Sequence, residues 1–332
     1  MTLSRNRSVR SRSRAMRNRS RSTKNRTASN RIKSKRRRIQ ICATPAVCVE
    51  ALNKGKIIAS GGFGKVIAHT NLAIKMIRRA NSCNDALKEY EFMKRVWSAF
   101  AKIQLHIRDK TVGHKLRKSL MQLSPVEPLH FWDERFQYDN EDFSCGLVTR
   151  LVPGMRLEFT YAESYSPPVL VMPLIGAQKT KLSLVNDSLP LSVRNPPRYL
   201  TATIMDIKQL YPEFQETQFA YTMGVLLAVM TLVVKIVLSD VEILFGRKSD
   251  PHIYIMDFGM CTSFNSKDPF EIGKECAQMG TPFDTKQVFP NEPDSDNFKH
   301  FEKGFMDMAG LLKKREFGGR VMEGIRNELR II

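Results

Sequence analysis

The sequence predicts an α+β fold in two lobes, a small β-rich lobe followed by a shortened helical lobe, with a disordered basic tail in front. Three observations predict it. Short apolar runs broken by glycines, residues 57–77, lead into a helical pattern that begins at Asn84. An eighteen-residue stretch without charge, Thr217–Val234, reads as a helix buried at the centre of a domain. Two strand-like runs, "DVEILFG" and "IYIMDFGM", follow it and end in the triplet Asp257-Phe258-Gly259.

The tail is set apart by charge. The 332 residues carry a formal charge of +20, and sixteen of the 53 Lys and Arg precede residue 41, whereas the first acidic residue is Glu50. Residues 1–40 are rich in Arg, Ser and Asn and almost free of apolar side chains. Such a segment buries too little surface to offset its ordering entropy, so disorder is expected. Arg31–Arg38, "RIKSKRRR", reads as a nuclear-localisation or nucleic-acid patch. RNA or DNA contact through residues 5–38 would work by counterion release, without sequence preference. A solubilising tail or a transit-type extension reads the same residues more plainly. The remainder is close to neutral, as an ordinary domain is.

Six cysteines, Cys42, Cys48, Cys83, Cys145, Cys261 and Cys276, form no C-x-x-C pair. Reduced thiols in a nuclear or cytoplasmic protein are expected, with no structural zinc. The start shows no apolar signal region. Thr217–Val234 is borderline against the ~20 mostly apolar residues of a membrane span and is diluted by Thr217, Gln218, Tyr221, Thr222 and Thr231, so a buried helix is favoured. No membrane is expected.

In order along the chain, Ile57-Ile58-Ala59 meets the cluster Ser60-Gly61-Gly62-Phe63-Gly64, and "KVIAH" and "LAIKMI" are strands about a turn at Thr70-Asn71. The helix after them is capped by Asn84 or Asp85, with Leu87, Tyr90, Met93, Val96 and Trp97 on its buried face. Residues 108–142 read as an insertion or long loop, giving a first lobe of 41–175 with an insertion at about 100–145. "CGLVTRLV" and "PPVLVMPLIGA" are strands. The second lobe, 176–332, contains the apolar helix, the strand pair and an amphipathic helix from about Asp296 to Lys314.

This order of parts resembles a protein kinase. "ASGGFGKV" resembles the glycine-rich phosphate loop: Gly61, Gly62 and Gly64 keep Cβ atoms away from phosphates, Phe63 is at the tip, Val66 closes the motif, and Ala59 stands in the first glycine's place. A glycine-rich hairpin turn explains the same residues. Lys75, eleven residues after Gly64, matches the lysine that contacts the α- and β-phosphates, and Glu89 its helix partner, with Glu91 a near rival. Val169–Ile175 looks like the strand entering the hinge, where adenine would bond the backbone. Asp257 matches the aspartate that holds magnesium. ATP and Mg2+ are therefore the implied cofactors.

The resemblance breaks at the catalytic loop. Aligning "SDVEILF" with the strand after that loop puts Glu242 at the place of the metal-binding Asn and Val237 at the place of the base. Valine takes no proton. Asp240 is the nearest carboxylate, and Glu242 remains a good magnesium ligand. Asp240 and Glu242 also read as a turn or surface pair. Gly280-Thr281-Pro282 echoes the peptide-binding segment of kinases, but no A-P-E follows.

The stretch "FAYTMGVLLAVMTLVVKIVLSDVEILFGRKSDPHIYIMDFGMC", with "GTPFDTKQVFP" later, resembles an uncharacterised fungal kinase-like family often labelled zinc finger protein. The match covers roughly Leu151–Phe317. It departs at Thr231 and Leu232, where that family has His and Trp, and at Val237, where it keeps Asp. The resemblance implies a kinase-like fold with no assigned activity. Three readings follow: a degenerate kinase acting through an unidentified protein partner, an atypical phosphotransferase using Lys75, Asp257, Glu242 and Asp240, and a nucleic-acid-associated protein acting through its tail.

Overall fold

The computed structural model describes residues 45–60, 64–108, 111–152, 170–174, 199–203, 214–239, 241–247, 250–278 and 293–331. The tail, residues 1–40, lies outside them. The chain divides into Met1–Glu50 and a second unit, Ala51–Ile332, and helix α1 (Pro45–Lys54) spans that division. Everything below concerns the second unit, which is mixed α+β.

Its first sheet begins with β1 (Lys56–Ser60), β2 (Gly64–His69) and β3 (Leu72–Ile77). Thr70, at φ 51°, makes the tight turn between β2 and β3. Every residue of β3 except Lys75 is buried. Helix α2 (Cys83–His106) follows and buries Ala86, Glu89, Phe92, Met93, Val96, Ala99, Phe100 and Ile103. That face differs from the expected one. Leu87 is 42% exposed and Trp97 36% exposed. Ser82 holds the N-cap position, and its side chain makes no capping bond.

The stretch read as an insertion or long loop is instead part of both sheets. Helix α3 (His114–Gln122) buries Leu116, Ser119 and Leu120 and runs into β4 (Leu123–Pro125). Strand β5 (Pro128–Trp132) is followed by a small hairpin, β6 (Phe136–Tyr138) and β7 (Glu141–Phe143). Strand β8 (Cys145–Arg150) then enters beside β3. The sheet order is β1-β2-β3-β8-β5, antiparallel throughout. Glu141 ties the hairpin back to the sheet, accepting from Lys65 at 2.6 Å and from Arg78 at 3.0 Å.

The second sheet has the order β10-β9-β12-β13-β4, where β9 is Leu170–Leu174, β10 Tyr199–Thr203, β12 Glu242–Arg247 and β13 Asp250–Met256. β9 runs parallel to β10, and β4 parallel to β13. The strand expected to enter a hinge, Val169–Ile175, is therefore β9 of this second sheet. The strand that leaves the first sheet beside β3 is β8. The runs "DVEILFG" and "IYIMDFGM" form one antiparallel pair, β12 and β13, matched as far as Arg247 and Asp250.

Helix α4 (Glu216–Val229) continues as one π turn, Met230–Val234. Phe219 through Val229 are all buried. This helix is long and apolar enough to cross a membrane, but 83% of that window is buried inside the protein, which makes it a core helix. It crosses α6 (Asp296–Leu311) at glycines on both sides. A Cβ on Gly224 would stand 1.9 Å from the Phe301 carbonyl oxygen, and one on Gly304 2.0 Å from that of Tyr221. Helix α5 (Pro269–Gln278) packs on α7 (Arg315–Leu329). The short strands β11 (Ile236–Val237) and β14 (Thr262–Ser263) pair with each other, antiparallel.

The expected reduced thiols are corrected at one pair. Cys83 and Cys145, 62 residues apart, form a disulfide joining the first turn of α2 to the start of β8. They come together because Cys145 pairs with Ile77 of β3 and α2 starts just after β3. Cys261 and Cys276 are buried thiols outside any disulfide.

Candidate functional site

The site grows from one polar residue on an apolar strand. In β3 alternate residues face opposite sides of the sheet, so Ala73 and Lys75 share a face. Register extends that face sideways. Lys75 lies between Val66 of β2 and Leu147 of β8, and Ala73 pairs with Thr149. These residues line one cavity together with Glu89 and Met93 of α2, Val126, Met256 and Asp257. Sequence reasoning named Val66 and Lys75 and missed Ala73, Leu147 and Thr149. Their signal was available in the period-two alternation of "LAIKMI" and "CGLVTR".

Helix α2 brings the partner. Glu89 is 5% exposed, and its Oε2 accepts a hydrogen bond from Lys75 Nζ at 2.8 Å. An unpaired carboxylate at that depth would be costly, so the lysine and the helix position stabilise each other. Glu91, the rival partner, instead pairs with Lys94 on the exposed side.

Asp257 follows β13 with φ 58°. A non-glycine residue in the left-handed region stores strain, and Asp tolerates it better than most. The turn leaves the Asp257 carboxylate 3.8 Å from Lys75 Nζ and sends Phe258 into the core, fully buried. A Cβ on Gly259 would lie 3.5 Å from Asp257 Oδ1 and 3.6 Å from Glu89 Oε2, so this glycine sits against both carboxylates. Glu242 pairs with Met256 across the β12–β13 hairpin, one residue from Asp257.

The electrostatics follow from this crowding. Burial works to lower the Lys75 pKa, but Glu89, Asp257 and Glu242 outweigh it, and the ammonium is held above its ordinary value. Burial pushes the Glu89 carboxyl up, and Asp257 adds to that while Lys75 opposes it. The site is thus one persistent cation facing several carboxylates, with about a third of the Lys75 side chain open to solvent.

Gly64 has a structural reason to be glycine. A Cβ there would stand 1.7 Å from the Met76 carbonyl oxygen of β3. Gly61, Gly62 and Asp240 lie outside the described residues. Val237, at the expected place of the base, is a buried residue of β11 paired with Thr262. Only four residues, Leu238 to Val241, separate β11 from β12. The described walls enclose about 80 Å³, less than the ~300 Å³ at the small end of ligand pockets. Among the described residues no group of three or more His, Cys, Asp or Glu is placed to hold a metal ion.

No family model and no curated protein matches the chain.

Proposed function

We propose that this cleft binds the phosphates of a nucleotide such as ATP together with Mg2+, in a kinase-like protein that lacks a conventional catalytic base and acts by engaging a partner. The observation that carries the reading is the ion pair of half-buried Lys75 with buried Glu89, beside the left-handed Asp257. Charge arrangement supports it, rather than cavity size. Lys75 stays protonated and presents its ammonium where phosphate oxygens would sit, and Glu89 orients it. Asp257 and Glu242, side by side at the end of the hairpin, fit a cation completed by phosphate and water oxygens. Mg2+ is commonly held by one or two carboxylates in that way, and a cage made by the protein alone is a different arrangement. Bound there, the cation would neutralise phosphate charge.

The absence of a base at Val237 favours binding over transfer. Asp240 is the carboxylate for the alternative, an atypical phosphotransferase in which positioning and charge do most of the work. Thermal shift with ATP, with and without Mg2+, tests the reading. The wild type should be stabilised by MgATP, Lys75→Met should lose the shift, and Asp257→Asn should lose only its Mg2+ dependence. No shift for the wild type overturns the reading. Transfer of labelled γ-phosphate that Asp240→Asn abolishes decides for the phosphotransferase.

The concentration of cations before residue 41 supports a second, separable reading, RNA or DNA binding by the tail. Removing residues 1–39 should abolish salt-sensitive retention on nucleic acid.

A further inference from the structure

A second cavity, of about 600 Å³, lies at the C-terminal end of α4 and shares no lining residue with the cleft. That volume is within the range of small-molecule sites. Its walls include Leu232, Phe264, Ile272 and Phe317, and Phe317 is 37% exposed. Its charged lining is of one sign: Arg95, Lys235, Lys267 and Lys314, with no acidic residue.

Two of these cations have a structural task. Arg95 donates to the Val234 carbonyl and Lys314 to the Leu232 carbonyl at 2.6 Å, satisfying the end of the helix. The other two have none of that kind. Neither Lys235 nor Lys267 has a side-chain partner among the described residues. Lys235 also sits at φ 62° at the helix end, a position that ordinarily takes Gly or Asn. Of the carboxylates on the adjoining loop and helix, Glu271 pairs with Lys274, and the other two are turned to backbone amides. Glu275 accepts from the N–H groups of Asn265 and Ser266, and Asp268 from those of Phe270 and Glu271. They leave the two exposed lysines without a carboxylate partner among the described residues.

We propose that this cavity binds a single-headed amphipathic anion, a carboxylate or phosphate on an apolar body. The apolar walls take the body, Lys235 and Lys267 take the head, and the hydroxyls of Ser263 and Ser266 on the same lining supply further hydrogen bonds. A free inorganic anion leaves the apolar walls unused, and a neutral alcohol leaves the lysines uncompensated.

The test is calorimetric titration of the full chain with laurate and with dodecyl phosphate. Inorganic phosphate serves as the head-only control and dodecanol as the body-only control. At least one amphiphile should bind, the tighter of the two identifying the head, and both controls should be weaker by about tenfold or more. The Lys235→Glu/Lys267→Glu variant, which spares the two cations that cap the helix, should lose about tenfold in affinity while melting like the wild type. Binding by neither amphiphile, equal binding of dodecanol, or an unchanged affinity in the charge-reversed variant overturns the proposal. If the double variant melts early, Ser263→Ala/Ser266→Ala with a salt titration takes its place. An affinity insensitive to both overturns the proposal equally.

Discussion

Glu89 and Gly224 are both buried, for opposite reasons. Glu89 is a polar group carried inward on α2 and made tolerable by Lys75, so its position is held by charge. Gly224 is an absence of side chain that lets α4 and α6 touch backbone to backbone, so its position is held by shape. The sheet side of the molecule thus tolerates a strained, charged arrangement and fastens it with a disulfide at the start of α2. The helical side buries one carboxylate of its own, Glu328, which accepts from Gln278 at 2.8 Å, but its crossing of α4 on α6 depends on close contact. The two positions are therefore held by different means, and each can be tested without the other.

The largest expected effect is at the fastening. The Cys83–Cys145 bond closes a loop of 62 residues, and restricting the unfolded chain that far is worth about 4 kcal/mol in the chain-entropy account. Cys83→Ser/Cys145→Ser should lower the free energy of unfolding by that order in denaturant titration, and reductant should do the same to the wild type but not to the variant. A loss below about 1 kcal/mol would mean that packing alone anchors the helix, and the contrast between the two sides would weaken.

Next comes the helix crossing. Gly224→Ala forces a methyl into the Phe301 carbonyl, and α4 and α6 must part. Overpacking of this kind costs about 3 kcal/mol. Gly310, near the end of α6, has nothing within 4 Å of the place a Cβ would take, and Gly310→Ala should be neutral or stabilising. Equal destabilisation by both changes would show that helix propensity, rather than close approach, is what is being measured.

The two sides also differ in how legible they were. Lys75 and Asp257 stood out as polar residues in apolar strand-like runs, and Glu89 by its spacing from Lys75. The face of α2 was nevertheless misassigned by a visible conflict: Leu87 and Glu89, two residues apart on a helix, are ~200° apart and cannot both face inward. Accepting Glu89 as the partner of Lys75 keeps Met93 and Val96 from the expected face and replaces Leu87 and Trp97 with Phe92, Phe100 and Ile103, all of them buried. Three-residue strands such as β4 carry too little periodicity to read, so residues 108–142 looked like loop. The disulfide joins cysteines with no motif spacing. Gly224 and Gly304 give no local signal, because what requires them is the partner helix.

The smallest effect belongs to the ion pair, and pH isolates it. Lys75→Met leaves Glu89 buried without its cation and should cost about 2 kcal/mol near neutral pH. The held-up Lys75 contributes stability that is complete below the ordinary lysine value of 10.5 and is lost as pH rises through its folded value. Glu89, pushed up by burial, runs the other way. Its protonated form suits the fold, so ionising it above the ordinary 4.5 costs stability, and costs more once Lys75 is gone. The difference between wild type and Lys75→Met should therefore be small in acid, open above pH 4.5 and close again above pH 10.5. Adding Glu89→Gln to Lys75→Met should recover part of the loss and flatten that profile. A difference that stays constant with pH would mean that Lys75 contributes through its packed methylenes, and that the sheet side, like the helical side, is held by shape.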